Sequence, residues 1–207
     1  MIELPSASTP IPPALSAKIL AMLVSILLLA TWVFLSLVHR TTRGRAWVAL
    51  REWAGEHQMK LRSRVNPPDA LLTMTSQRAQ ALVLLEGERV WMARLRADSG
   101  EWHVLVRRCA TEWPTVALRP VIARASVIDG IELSRSNSLS TERFAILSAD
   151  PRAGAVLAAS HAAALVPPDI GLLRKGQDLL LDFSTRPFDP IELGRMTTLA
   201  DQLAAMM

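Results

Sequence analysis

Side chains that could do chemistry are most concentrated near the end of the sequence, where Asp178, Asp182 and Asp189 surround Arg186. Residues four apart on a strand point to the same face, so Asp178 and Asp182 could bind a magnesium ion or act as a catalytic pair. Carboxylates in such a pattern more often solvate an outer face. Asp189 precedes a proline, which is typical of a helix cap. We therefore assign no catalytic residue.

Metal ligands and cofactor-binding loops are not indicated by the sequence. The histidines, His39, His57, His103 and His161, lie far apart, and Cys109 has only His103 near it, whereas structural zinc needs paired ligands a few residues apart. The glycines occur singly, without a Gly-x-Gly for a phosphate or a Gly-x-Ser-x-Gly for a hydrolase. We expect no metal and no cofactor, and an enzyme is not favoured.

A run without ionisable residues extends from Ile19 to Val38 and is long enough to cross a bilayer as a helix. About 20 residues at about 1.5 Å each match roughly 30 Å of hydrocarbon. A cleaved signal peptide would have a shorter apolar core and a small-residue cleavage motif. We therefore predict a transmembrane helix at 17–38, preceded by a Pro-rich tail at 1–16.

Basic residues on the two sides of this run predict its orientation. Lys18 precedes the run, whereas Arg40, Arg43 and Arg45 follow it, and basic residues prefer the cytoplasmic side of a membrane. We expect Trp47 to join these residues at the membrane interface. The sequence thus predicts a single-pass protein of the inner membrane, with its N-terminus outside and its domain in the cytoplasm.

A stripe of mostly small residues follows one side of the same run. Ala17, Ala21 and Ser25 recur every four residues, and Trp32 and Ser36 continue the stripe. Small side chains let a second helix approach closely, although an Ala- and Leu-rich run can produce such spacing by chance. We predict that these residues contact a partner helix.

Beyond the basic residues, the hydrophobic period changes to two, which predicts strands. Five segments between residues 57 and 119 alternate apolar and polar residues, and short turns such as Asp-Ser-Gly at 98–100 and Trp-Pro at 113–114 separate them. Short turns favour antiparallel pairing. A further hairpin is predicted with its turn at 175–176.

Helices are predicted on both sides of the strands. The segment 46–54 is amphipathic, and Asp150 and Asp189 are each followed by proline at the start of a helical pattern. We predict an α+β domain at 46–207, with one antiparallel sheet covered by a juxtamembrane helix and two C-terminal helices. A basic linker at 39–45 would join this domain to the transmembrane helix.

The segment 144–207 carries a resemblance to known proteins. It begins with Phe-Ala-Ile-Leu-Ser-Ala-Asp-Pro, and an Ala- and Leu-rich helix, a hairpin and an amphipathic helix follow. This layout resembles several families of uncharacterised bacterial membrane-anchored single-span proteins. The resemblance implies a bacterial source and an α+β domain, and it implies no activity.

These features together predict a function in protein assembly. The chain carries a formal charge of +4, and outside the basic flank it is nearly neutral, so nucleic acid is not an expected partner. We expect a non-catalytic accessory or scaffold subunit of a larger bacterial membrane complex, with the lipid bilayer and other membrane proteins as partners. The alternatives are a membrane-tethered enzyme with a dispersed site and a cytoplasmic ligand-sensing module.

Overall fold

The computed structural model describes the backbone of residues 13–75, 79–97, 100–123, 125–131, 133–136 and 139–207, with side chains from residue 21 onward except at 37–43 and 70. Its contacts divide the chain into two compact units. The boundary between them falls between Trp47 and Val48.

Helix α1, Pro13–Glu56, is the first element of the chain. Proline suits the first helical position because its ring already holds the helical φ angle. The backbone stays helical through 39–45, since a lone glycine such as Gly44 costs a helix only about 1 kcal/mol. The segments predicted separately at 17–38 and 46–54 therefore belong to one helix.

Within the residues that the structure describes, no helix is both long and apolar enough to cross a membrane. The predictions of a transmembrane helix at 17–38, of a single-pass membrane protein, and of an inner-membrane location with a cytoplasmic domain are therefore wrong.

The second unit is built on an antiparallel sheet, which has seven strands in the described part of the chain. The α+β class is thus confirmed. The strands are β1 Lys60–Val65, β2 Gln80–Glu86, β3 Val90–Ala97, β4 Gly100–Pro120, β5 Ser134–Ser136, β6 Phe144–Ser148 and β7 Gly171–Asp182.

Strand β4 is the longest strand and lies at the centre of the sheet. Its first half pairs with β3, from Ala97↔Gly100 to Val90↔Arg107, and its second half pairs with β6. Strand β7 pairs with both halves of β4 on the opposite side. Strands β1 and β2 extend the sheet beyond β3, and β5 extends it beyond β6.

Two of the predicted turns in the sheet are absent from the structure. The Trp-Pro pair at 113–114 was expected to separate two strands, but both segments belong to β4. The expected hairpin at 175–176 is instead a bend within β7, where Gly176 has a φ of 57°. The left-handed backbone of that glycine changes the direction of the strand without reversing it.

Each face of the sheet is covered by apolar side chains. On one face Leu105, Leu118 and Leu181 belong to a cluster that also includes residues of the helices. On the other face Val106 and Leu180 belong to a second cluster. Because neighbouring residues of β4 and β7 serve opposite faces, both strands are apolar over consecutive positions.

Helices cover the first of these faces. The last turns of α1 contribute Leu50 and Trp53, and the later helices contribute Leu157 and Leu193, all of them buried. The predicted helix after Asp150 is interrupted at Ser160. The helices of the domain after α1 are α2 Asp69–Thr75, α3 Pro151–Ala159, α4 Ala162–Leu165 and α5 Pro190–Met206, and a short 3-10 helix spans Val127–Gly130.

The start of α5 has the predicted cap. The Asp189 side chain accepts a hydrogen bond from the Glu192 backbone N–H at 2.9 Å, and Pro190 occupies the first helical position. The cap satisfies one of the free N–H groups at the helix start, and the carboxylate is favourable at the positive end of the helix dipole.

We expect Asp189→Ala to destabilise the domain by about 1 kcal/mol, because the N–H of Glu192 loses its acceptor. For a domain of this size the melting temperature should fall by about 2–4 °C per kcal/mol, measured by circular dichroism. Asp189→Asn is the control, since an amide oxygen also caps a helix. Equal losses in both variants would show that the cap contributes nothing.

Candidate functional site

The described apolar part of α1 presents large side chains around its whole circumference. From Met22 to Leu35 the large apolar side chains are between 43% and 69% exposed. Exposed apolar patches of this extent are uncommon on proteins that function without a partner at that surface. The surface therefore has the properties of an interaction site, which we call the α1 apolar surface and define as residues 21–36.

Two hydroxyl groups of the α1 apolar surface form hydrogen bonds within the helix itself. The Ser25 hydroxyl donates to the Ala21 carbonyl at 2.9 Å, and the Thr31 hydroxyl donates to the Leu27 carbonyl at 2.8 Å. A partner chain that covers this surface therefore does not need to provide hydrogen-bond acceptors for these two hydroxyls. It can bind through apolar contact area.

The small-residue stripe follows one side of this surface. Ala21, Ser25 and Trp32 are exposed, and Ser36 is partly exposed, all within continuous helix. Spacings of four, seven and four residues place these four side chains on one side of an α-helix. The Ala17 side chain lies outside the described residues. The contact of the stripe with a partner helix stays a prediction.

The residues predicted at a membrane interface are only partly described. Arg45 is exposed and Trp47 is half-buried. The side chains of Lys18, Arg40 and Arg43 lie outside the described residues. Their backbone belongs to α1.

Asp182, one of the carboxylates singled out in the sequence, is a structural residue. It is buried, and one oxygen accepts hydrogen bonds from the Ser126 hydroxyl at 2.6 Å and the Val127 N–H at 2.9 Å. Its other oxygen accepts from the Ser184 hydroxyl and N–H. The Asp182 carboxylate therefore links the 3-10 helix to the end of β7. None of these donors binds Asp178, so the two carboxylates do not share a hydrogen-bond network.

Arg186 forms the centre of a second polar group. Its Nε and Nη2 donate to the two oxygens of Asp169 at 2.6 and 2.7 Å, and its Nη1 donates to Glu192 at 2.6 Å. His103 Nδ1 donates to the Arg186 carbonyl at 2.7 Å. This group connects the segment before β7, the beginning of β4 and the first turn of α5.

The Glu192 carboxylate needs this partner because it is almost enclosed, with a side chain that is 6% exposed. A charge buried without a counter-ion is strongly unfavourable. Its second cation, Arg195, is 68% exposed and donates at the longer distance of 3.2 Å. Arg186 is therefore the main compensating charge for Glu192.

Arg174 was missed in the sequence, where it was placed beside a predicted turn. It is completely buried, and its Nη2 donates to the Thr111 carbonyl at 2.5 Å. The signal in the sequence was weak, because a Leu-Leu-Arg-Lys-Gly segment is equally typical of a strand end. Arg174 lies opposite Val116 in the pairing of β7 with β4, and this long-range pairing is seen only in the tertiary structure.

Among the described residues, no group of three or more His, Cys, Asp or Glu side chains is placed to hold a metal ion. The described histidines, His57, His103 and His161, do not form a cluster. His57 stacks on Trp53 with ring centroids 4.1 Å apart, and His103 lies edge-on to Phe188 at 5.5 Å.

Comparison with known proteins gives limited information. No protein-family model matches the chain, and no curated protein matches it. Among solved structures, the crystal structure of the mycobacterial trehalose monomycolate transport factor A is similar to it, with a TM-score of 0.48 and 12% identity over 76% of this chain and 92% of that chain. We transfer no residue role and no activity from that protein.

We expect Arg186→Met to destabilise the domain by about 3–5 kcal/mol, because Glu192 stays buried without its main counter-ion. The urea midpoint of unfolding should fall accordingly. Arg195→Met removes an exposed cation from the same carboxylate and should cost less than about 1 kcal/mol. Similar losses in the two variants would contradict the assignment.

The same group makes stability depend on pH. Hydrogen bonds from the Arg186 side chain lower the pKa of Asp169 below its ordinary value of 3.8. A carboxylate with a lowered pKa stabilises the fold above its ordinary pKa, and that contribution is lost as the pH falls through the lowered value. Urea unfolding below about pH 4 should therefore show a shallower pH dependence in Arg186→Met than in the unaltered chain. Parallel curves would contradict this prediction.

Proposed function

We propose that the protein is a non-catalytic accessory or scaffold subunit, and that the α1 apolar surface binds an apolar helix of a partner chain. The supporting observation is the exposure of the large apolar side chains from Met22 to Leu35. Covering this area would remove apolar surface from water, which favours association by roughly 25 cal/mol per Å². In this proposal, α1 attaches the α+β domain to the complex.

The small-residue stripe supports a helix as the partner. Ala21 and Ser25 are small residues on the same side of α1 as Trp32, and small side chains let the backbone of a second helix approach closely. The opposite side of α1 carries the large residues Leu23, Leu27 and Phe34, which would hold a partner helix further away. The stripe is thus the side of α1 that we assign to the contact.

The polar groups of the domain support a scaffold role in a different way. The carboxylate of Asp182 and the guanidinium of Arg186 are groups that could act on a substrate. Both are instead hydrogen-bonded to other residues of the chain. Buried polar networks of this kind make a domain rigid. A rigid domain on an exposed apolar helix suits a subunit that positions other chains.

Ser25→Leu should weaken the complex about fivefold or more, because overpacking at a close helix contact costs about 1–3 kcal/mol. The measurement is the fraction of partner chain retained when tagged protein is purified in mild detergent and sized by chromatography. Ala30→Leu is the matched control, since it adds comparable bulk on the other side of α1 and should leave the complex intact.

A chain that elutes alone, at the mass of one copy, would contradict the proposal. Equal losses with Ser25→Leu and Ala30→Leu would also contradict it, because the contact would then not depend on the stripe. Flotation of the purified chain with lipid vesicles, without any partner chain, would identify a lipid surface as the occupant and would likewise overturn the proposal.

A further inference from the structure

The ladder between β4 and β7 opens at one place. Pairing runs from Val104↔Asp182 to Arg108↔Asp178 and resumes at Trp113↔Gly176. Between these two pairs β4 has residues 109–112, whereas β7 has only residue 177. The extra residues form a bulge, and bulges re-aim side chains and are frequent beside functional sites.

A cleft lies at this bulge. It has a volume of about 260 Å³ and is lined by Arg89, Arg108, Cys109, Ala110 and Gln177. Both arginines are exposed. Arg89 has no ion pair among the described residues, so its guanidinium is available to a ligand.

Arg108 is held in place by weak contacts. Its guanidinium lies 5.6 Å from the centre of the Trp91 ring, and its Nε is 3.6 Å from Asp178 Oδ1. A separation of 3.6 Å exceeds hydrogen-bond distance, and that oxygen has no hydrogen-bond partner in the described part of the chain. Arg108 is therefore oriented by the indole ring while its N–H groups remain free for another acceptor.

A third guanidinium lies beneath the bulge. Arg174 is 0% exposed and donates to the Thr111 carbonyl, and its Nε and Nη1 have no hydrogen-bond partner among the described residues. A buried cation acts more strongly on its surroundings than an exposed one, because little water screens it. Its charge adds to the positive potential of the cleft.

The thiol in the cleft wall does not offset this charge. Burial raises the pKa of the Cys109 thiol, and the charges of Arg174 and Arg107 oppose that effect only in part. The thiol thus stays neutral at physiological pH. Arg107 is already paired with Asp201 at 2.6 Å. Of Arg89, Arg108 and Arg174, only Arg108 has an ion pair in the described part of the chain, with Asp178. The exposed Glu112 lies on the same bulge.

We propose that the cleft at the β4–β7 bulge binds a small oxyanion, a carboxylate or a phosphate group, between the guanidinium groups of Arg89 and Arg108. Guanidinium groups bind the oxygens of both classes through paired, charge-assisted hydrogen bonds. The buried charge of Arg174 favours an anion over a neutral ligand. The site would let the scaffold domain respond to a metabolite or to an acidic group of another molecule.

The test uses the purified full chain titrated with sodium phosphate and, separately, with sodium acetate, against sodium chloride at equal ionic strength. At a tenfold excess over the dissociation constant, one of the two oxyanions should raise the melting temperature by about 3–5 °C. Arg108→Gln should weaken binding about tenfold or more. Arg96→Gln removes an exposed arginine of β3 outside the cleft and should leave binding unchanged.

Tryptophan fluorescence locates the ligand. Binding beside Arg108 should change the emission of Trp91, so Trp91→Phe should lose the fluorescence change while the melting temperature still responds. Three results would each overturn the proposal: equal shifts with chloride and with both oxyanions, unaltered binding in Arg108→Gln, or a fluorescence change that persists in Trp91→Phe.

Discussion

The pairing of β4 with β7 is the interaction on which the domain depends. Strand β4 is bonded along one side to β3 and β6 and along the other to β7, so the remaining strands are aligned through it. Both apolar clusters include residues of β4 and β7. A shift of one residue in this ladder would move each side chain of β7 to the opposite face and disrupt the packing of both clusters.

The general class of the domain and its capped helices were predictable from the sequence. Alternating apolar residues in β3 indicate a strand, and Asp150 and Asp189 before proline indicate helix starts, because the local backbone chemistry determines both features. The continuity of β4 was not predictable. Pro114 is typical of a turn, yet it occupies the irregular part of the ladder, where its missing N–H is not needed.

The interaction surface was only partly predictable. The stripe of Ala21, Ser25, Trp32 and Ser36 follows from helical spacing, which depends on nearest neighbours alone. The expected membrane crossing was wrong, since it rested on the length of an apolar run rather than on the helix described by the structure. The cleft at the bulge depends on Arg108 and Arg174, which are 66 residues apart in numbering and meet only through strand pairing. Such long-range proximity leaves no local pattern in a sequence.

The enclosure of Cys109 has a practical consequence. It is the sole cysteine of the sequence, it is 7% exposed, and burial keeps its sulfur protonated. Alkylating and oxidising reagents act on the thiolate, so the native chain is nearly inert toward them. Cysteines introduced one at a time along α1 would thus be the reactive ones, and disulfide or maleimide crosslinking could map neighbouring chains without first removing the natural residue.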